Sequence, residues 1–139
     1  MTKEKQDELV RIALSMRQKA YTPYSHFTVG AALMTKAGKI YTGCNIENSS
    51  YTPTVCAERT AFFKAVSEGE REFSCIAVVG GPEGKPANEL CAPCGVCRQV
   101  MMEFCDKDFI IILGNETGNY TLETLDGILP YGFKLSEQM

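Results

Sequence analysis

The sequence contains no run of the roughly 20 apolar residues that a membrane-spanning helix needs, so no membrane partner is expected. Its first residues, Met1-Thr2-Lys3-Glu4-Lys5-Gln6-Asp7-Glu8, are charged and lack the apolar stretch of a secretory signal, and a cytoplasmic location is expected. Basic residues are outnumbered: 14 Lys and Arg stand against 17 Asp and Glu, with a formal net charge of −3 and a pI near 5.2. That balance argues against nucleic acid, which is bound by clustered Lys and Arg, and for small substrates. Low-complexity tracts are missing too. With 45% apolar and 22% charged residues, the 139-residue chain fits one compact domain over residues 1–139. Histidine occurs once, as His26, after a Tyr-Thr-Pro-Tyr-Ser stretch far from the cysteine pair described below. It is expected on a loop or at the surface and not as a metal ligand.

Cysteine is the residue the chain does have, seven times. An odd count in a reducing compartment points to metal ligands and free buried thiols instead of a disulfide framework. Two stretches carry the chemistry: Cys56-Ala57-Glu58-Arg59, and Pro93-Cys94-Gly95-Val96-Cys97-Arg98-Gln99. The Cys94/Cys97 pair has the spacing at which two sulfurs reach one tetrahedral ion, and Cys56 supplies a third. A structural zinc closes all four positions with protein ligands, whereas a catalytic zinc keeps one for water. Glu58 stands where it could move that water's protons. The arrangement reads as a catalytic zinc site with one Zn2+ per chain.

Periodicity places these residues. Leu9, Ile12, Ala13, Met16 and Ala20 recur at helical spacing before Pro23, which predicts an amphipathic helix over 4–20. Phe27–Met34 and Ile40–Ile46, joined by Lys36-Ala37-Gly38-Lys39, predict a β-hairpin. A helix from Cys56 to Ser67, a buried strand from Phe73 to Val79, a helix from Cys94 to Phe104 and a strand from Phe109 to Leu113 follow. Thr121–Leu129 reads as a weak strand end and a short helix before Pro130. The order implies an α/β fold, three-layer α/β/α with helices on both faces of a central mixed β-sheet. Both ligand groups then open helices, where amide dipoles favour thiolate over thiol. Three thiolates and one zinc carry net negative charge, and Arg59 and Arg98 are the expected donors to sulfur that offset it.

Other readings compete with this one. Cys91, three residues before Cys94, would complete an all-cysteine structural site and make the chain a zinc-stabilised interaction module. Cys44, Cys75 and Cys105 lie in apolar surroundings and are expected to be small hydrophobes. The Gly81–Cys91 loop, rich in Gly and Pro, either covers the site or crosses the surface. Asn45 and Glu47 alternate at a strand end, so both face one side. That side is either an exposed hairpin edge or a place where substrate hydroxyls are recognised beside the zinc.

Together with Gly43-Cys44-Asn45-Ile46-Glu47-Asn48-Ser49-Ser50-Tyr51 and Tyr24-Ser25-His26-Phe27-Thr28-Val29-Gly30-Ala31-Ala32-Leu33, the two cysteine stretches closely resemble the short, homotetrameric cytidine deaminases, over nearly the whole chain. Cys56 stands where related zinc deaminases have histidine. The resemblance implies zinc ligation by Cys56, Cys94 and Cys97, with Glu58 as proton shuttle. It further implies that Asn45 and Glu47 bind ribose hydroxyls, that Phe27 packs on the base and that Ala57 offers backbone groups to the base edge. Tyr51 and Phe133 would complete a neighbouring subunit's pocket in a homotetramer. The implied reaction is zinc-dependent hydrolytic deamination of cytidine, and of 2′-deoxycytidine, in pyrimidine salvage. Water would add at C4 while Glu58 carries a proton to N3 and on to the departing ammonia. A similar motif serves enzymes that deaminate a cytosine-nucleoside antibiotic, which is the alternative. A carboxylate at Glu47 favours a free nucleoside over a phosphorylated one.

Overall fold

Alternation along the strands decides which helix each residue meets. In the computed structural model, where residues 1–135 are described, β1 (Phe27–Thr35) and β2 (Ile40–Cys44) form the antiparallel hairpin, with Gly30 opposite Cys44 and Met34 opposite Ile40. Gly38, at φ 94°, takes the left-handed position of its turn at no steric cost. β3 (Phe73–Pro82) runs antiparallel along the other edge of β1, with Phe27 opposite Pro82. β4 (Ile110–Leu113) lies parallel to β3, and β5 (Thr121–Thr124) antiparallel to β4, giving the sheet order β2-β1-β3-β4-β5.

Helix α1 (Lys3–Met16), capped by the Thr2 hydroxyl accepting from the Lys5 amide, covers one face of this mixed sheet. Leu9, Val10 and Ala13 pack there against Ala32, Cys75, Ala77, Val79 and Ile112. The other face carries α2 (Ala57–Ser67), α3 (Gly95–Phe104) and the single turn α4 (Leu125–Ile128). Ala57, Ala61, Phe62, Ala65, Met101 and Leu125 meet Leu33, Ile76, Val78 and Ile111 on that side. Odd and even positions of β3 thus serve opposite layers, and the fold is three-layered α/β/α. Residues 136–139 of the expected single domain lie outside the described residues.

Two glycines set how closely the helices approach. A methyl group on Gly30 would lie 1.8 Å from the Ala13 carbonyl oxygen, and one on Gly43 would lie 2.2 Å from that of Ala57. α1 and α2 therefore rest directly on the backbone of the hairpin, and the second contact fixes where the first turn of α2 sits.

Three boundaries differ from the sequence expectation by more than one residue. The first helix ends at Met16 and tightens into a 3₁₀ turn, Arg17–Lys19, with Val10 buried and Met16 only half-buried. β3 continues to Pro82 because β1 pairs with it along that whole length. β2 stops at Cys44, where Tyr21 and Val55 move alongside Ile46 as isolated bridges and take over its hydrogen bonds.

Candidate active site

Cys56 and Cys94 each occupy the N-cap position of a helix, α2 and α3, with extended backbone (φ −76°, ψ 157° and φ −70°, ψ 168°). Neither side chain is spent on a capping hydrogen bond, so both sulfurs are available. Cys97 lies buried in the first turn of α3. The three Sγ atoms all lie within 4.8 Å of one another, and those of Cys56 and Cys94 are 3.7 Å apart. A tetrahedral zinc with Zn–S of about 2.3 Å spaces its sulfurs by about 3.8 Å, so the donor set fits zinc and leaves a fourth position open.

Cys91 does not join the cluster, which is the only group of three or more potential ligands among the described residues. Its sulfur packs on Gly80, 2.6 Å from where a methyl group would stand, and burial pushes its thiol up to about 11. All seven cysteines are free thiols, and Cys44, Cys75 and Cys105 are buried. Burial raises the pKa of each of those three, as a small hydrophobe's would be.

Glu58 follows Cys56 into the first turn of α2 and is only 4% exposed. Burial raises its carboxyl to about 7, with its own backbone N–H opposing and the Cys56 sulfur reinforcing the shift. A carboxyl that titrates near neutrality can both take and return a proton. Arg59, three residues after Cys56 and so on the same helix face, donates from Nη2 to the Cys56 sulfur at 3.4 Å. The Cys56 thiol is held well below its ordinary range, first by its hydrogen bond with Cys97 and then by Arg59, whereas Cys97 is pushed up by the same bond and by burial. Arg59 Nε is buried without a protein partner.

The expectation for Arg98 is corrected. It adjoins Cys97 in sequence and so leaves the helix on a different face. Its Nε donates to the Pro93 carbonyl and its Nη1 to the Ile128 carbonyl, both at 2.7 Å, so it braces the turn before Cys94 against α4 instead of reaching sulfur.

Of the remaining expected site residues, Ala57 and Phe133 lie elsewhere, whereas Phe27, Asn45, Glu47 and Tyr51 collect near the β1 start. Phe27 is 38% exposed there. Asn45 donates from Nδ2 to the Phe27 carbonyl and accepts from the Val29 amide, both at 2.9 Å, so its side chain pairs with the edge of β1. Glu47 accepts from the Tyr24 and Ser25 amides at 3.0 and 3.1 Å and from the Ser25 hydroxyl, and these bonds, the hydroxyl's first, hold its carboxyl below its usual range. Tyr51, exposed and at φ 64°, shares a cavity of about 290 Å³ with Glu47 of its own chain. Ala57 is fully buried against Gly43. Phe133 is half-exposed, and its carbonyl accepts from Gln99 Nε2 at 2.9 Å.

One residue at this end of the sheet escapes the motif reading. Arg17 is buried, and it continues the Leu9, Ala13 row at four-residue spacing. A charge on the apolar stripe of a helix is the sequence signal that marks it.

Residues 3–113 match the family of the cytidine and deoxycytidylate deaminase zinc-binding region, a span that holds all three cysteines and Glu58 and ends before Phe133. The chain is 49% identical over 127 residues to a cytidine deaminase of Sporosarcina psychrophila, covering 91% of this chain and 90% of that one. It is 32% identical over 126 residues to a blasticidin-S deaminase of Bacillus cereus, covering 88% of each. A solved cytidine deaminase from Burkholderia pseudomallei superposes with a TM-score of 0.84 at 44% identity, over 96% of this chain and 100% of that one.

Proposed function

Since the chain belongs to the cytidine and deoxycytidylate deaminase zinc-binding family, we propose that it hydrolyses the 4-amino group of cytidine, and of 2′-deoxycytidine, to give uridine or deoxyuridine and ammonia in pyrimidine salvage. The observation that carries this reading is the junction of three convergent sulfurs with a buried carboxyl on the helix that Cys56 caps. Cys56, Cys94 and Cys97 would hold zinc, which when bound supplies Lewis acidity and a water of lowered pKa.

The chain's own groups do the rest. Glu58 accepts the proton that the attacking water loses, delivers it to N3 of the ring, and transfers the next one to the departing 4-amino nitrogen. Its pKa of about 7 suits both directions. Arg59 supplies positive charge and a hydrogen bond to the Cys56 sulfur. Phe27 meets the base and Ala57 presents its backbone to the base edge. Asn45 and Glu47 accept the ribose hydroxyls, the carboxylate excluding a phosphate at that position. Tyr51 and Phe133 reach a neighbouring subunit's pocket in a homotetramer; their exposed rings supply the apolar surface such a contact needs. The enzyme is one catalytic domain working in the cytoplasm. Among the described residues no helix is long and apolar enough to cross a membrane.

The test is ammonia release from cytidine by the wild type and by Glu58→Ala, with zinc content measured in both. Turnover by the wild type alone, at equal zinc, supports the assignment; a loss of about 10²-fold or more is expected. Efficient deamination of cytidine monophosphate would overturn the nucleoside assignment. The similarity to the blasticidin-S deaminase makes that antibiotic the competing substrate, and faster turnover of it than of cytidine would reverse the choice.

A further inference from the structure

A guanidinium leaves water only where its donors find acceptors. Arg17 is 8% exposed and has found them on three separate segments. Its Nε donates to the carbonyl and hydroxyl oxygens of Thr28, both at 3.1 Å, and Nη2 donates to the Pro82 and Lys85 carbonyls, both at 3.0 Å. Nη1 faces the Glu116 carboxylate at 3.6 Å. One side chain thus joins the residue after Phe27, the last residue of β3 and the turn beyond it.

The segment that follows β3 is pinned twice more. The Ala87 carbonyl accepts from the Glu116 amide at 3.0 Å while its side chain sits in the α1-side core, and the Cys91 sulfur rests on Gly80. Between these anchors Asn88, Glu89 and Leu90 stay exposed. Phe27 on one side and Pro82, Pro86 and Leu90 on the other bound a cavity of about 390 Å³. Arg17 does not line this cavity; it ties the two walls together from behind.

We infer that Arg17 is a positioning residue for the nucleoside pocket, fixing the separation between Phe27 and the loop of residues 82–90. This rests on the reading that Phe27 meets the base. Cys56, Glu58, Cys94 and Cys97 belong to the starts of α2 and α3, and Arg17 donates no hydrogen bond to either helix. Loss of the clamp therefore acts on substrate binding and spares the proton-transfer groups. A lysine cannot replace it, because one ammonium on a flexible stem does not span three segments as a planar five-donor fork does.

The experiment compares wild type, Arg17→Lys and Arg17→Met for cytidine kinetics, zinc content and backbone amide exchange in the absence of nucleoside. KM is expected to rise about tenfold or more in Arg17→Met, with kcat within about threefold and zinc content unchanged. Arg17→Lys should fall on the same side, and it carries the comparison should the methionine variant not fold. Exchange should quicken about tenfold or more at Thr28 and across residues 83–91, while α2 and α3 keep their protection. An unchanged KM, or kcat and zinc content falling with it, overturns the proposal, as does unaltered exchange. A wild type inert on cytidine, combined with the expected exchange pattern, upholds the clamp and sinks the cytidine assignment.

Discussion

Replacing Gly43 with alanine tests whether the packing of α2 sets the chemistry. The added methyl group would lie 2.2 Å from the Ala57 carbonyl oxygen, 2.7 Å from the Ala61 nitrogen and 3.1 Å from the Ala61 Cβ. The first two are main-chain atoms, so no rotamer change relieves the overlap. Ordinary non-bonded contacts lie at about 3.5 Å or more, and the helix start must retreat by roughly 1 Å. Cys56 and Glu58 travel with it, while Cys94 and Cys97 stay with α3. Overpacking of this kind costs about 1–3 kcal/mol in stability, and a misplacement of about 1 Å costs about 10²-fold in rate. Calorimetry, chelator competition for zinc and kcat on cytidine measure the three consequences. The expectation is a lowered Tm, weaker zinc binding and kcat down about a hundredfold. A Gly43→Ala protein with wild-type zinc affinity and kcat within about threefold would refute the claim that this contact places the ligands.

Arg59→Gln removes the 3.4 Å hydrogen bond to the Cys56 sulfur, so zinc affinity and turnover should both fall, by about 10–100-fold. If chelator competition and turnover both stay at wild-type values, Arg59 has no part in the site. Cys91→Ser should retain one zinc per chain by elemental analysis, because Cys91 lies outside the three-sulfur cluster; loss of zinc would revive the four-cysteine arrangement. Glu47 has a folded pKa below its ordinary 4.5, so its bonds to Tyr24 and Ser25 contribute fully above that value and are lost as pH falls through the lower folded one. The Tm difference between wild type and Glu47→Gln should then hold from pH 7 to pH 5 and close only in more acid solution. Convergence of the two curves by pH 5 would contradict the depressed pKa.

What could be read in advance was what spacing along the chain determines. Cys56 with Glu58 and Arg59, and Cys94 with Cys97, lie within single helical turns, so sequence separation fixes which of them share a face. The apolar run Phe109–Leu113 read as a strand, and in the structure its alternate residues meet opposite layers of the core. Arg98 shows where proximity misleads, since a neighbour in sequence points elsewhere on a helix and found the Pro93 and Ile128 carbonyls. The partners of Arg17 were hidden for the opposite reason: although its charge on the apolar stripe marks the residue, its acceptors lie 11, 65 and 68 positions away, and no local pattern encodes them. The Asn45 side chain likewise pairs with the backbone of β1, at Val29 and Phe27, 16 and 18 positions away.

The placing of the sulfurs on two helix starts also bears on the order of folding. Cys56 and Cys94 are 38 positions apart, and between α2 and α3 the chain pairs β3 with β1 across separations such as Phe27 to Pro82. Closing a hairpin takes microseconds, whereas such distant pairings are the slow part of building a sheet. A chain emerging from the ribosome can complete the hairpin and α1 while its thiols are still scattered. Closure of the three-sulfur site therefore depends on a finished sheet, because until β3 is paired nothing holds Cys56 beside the local Cys94/Cys97 pair.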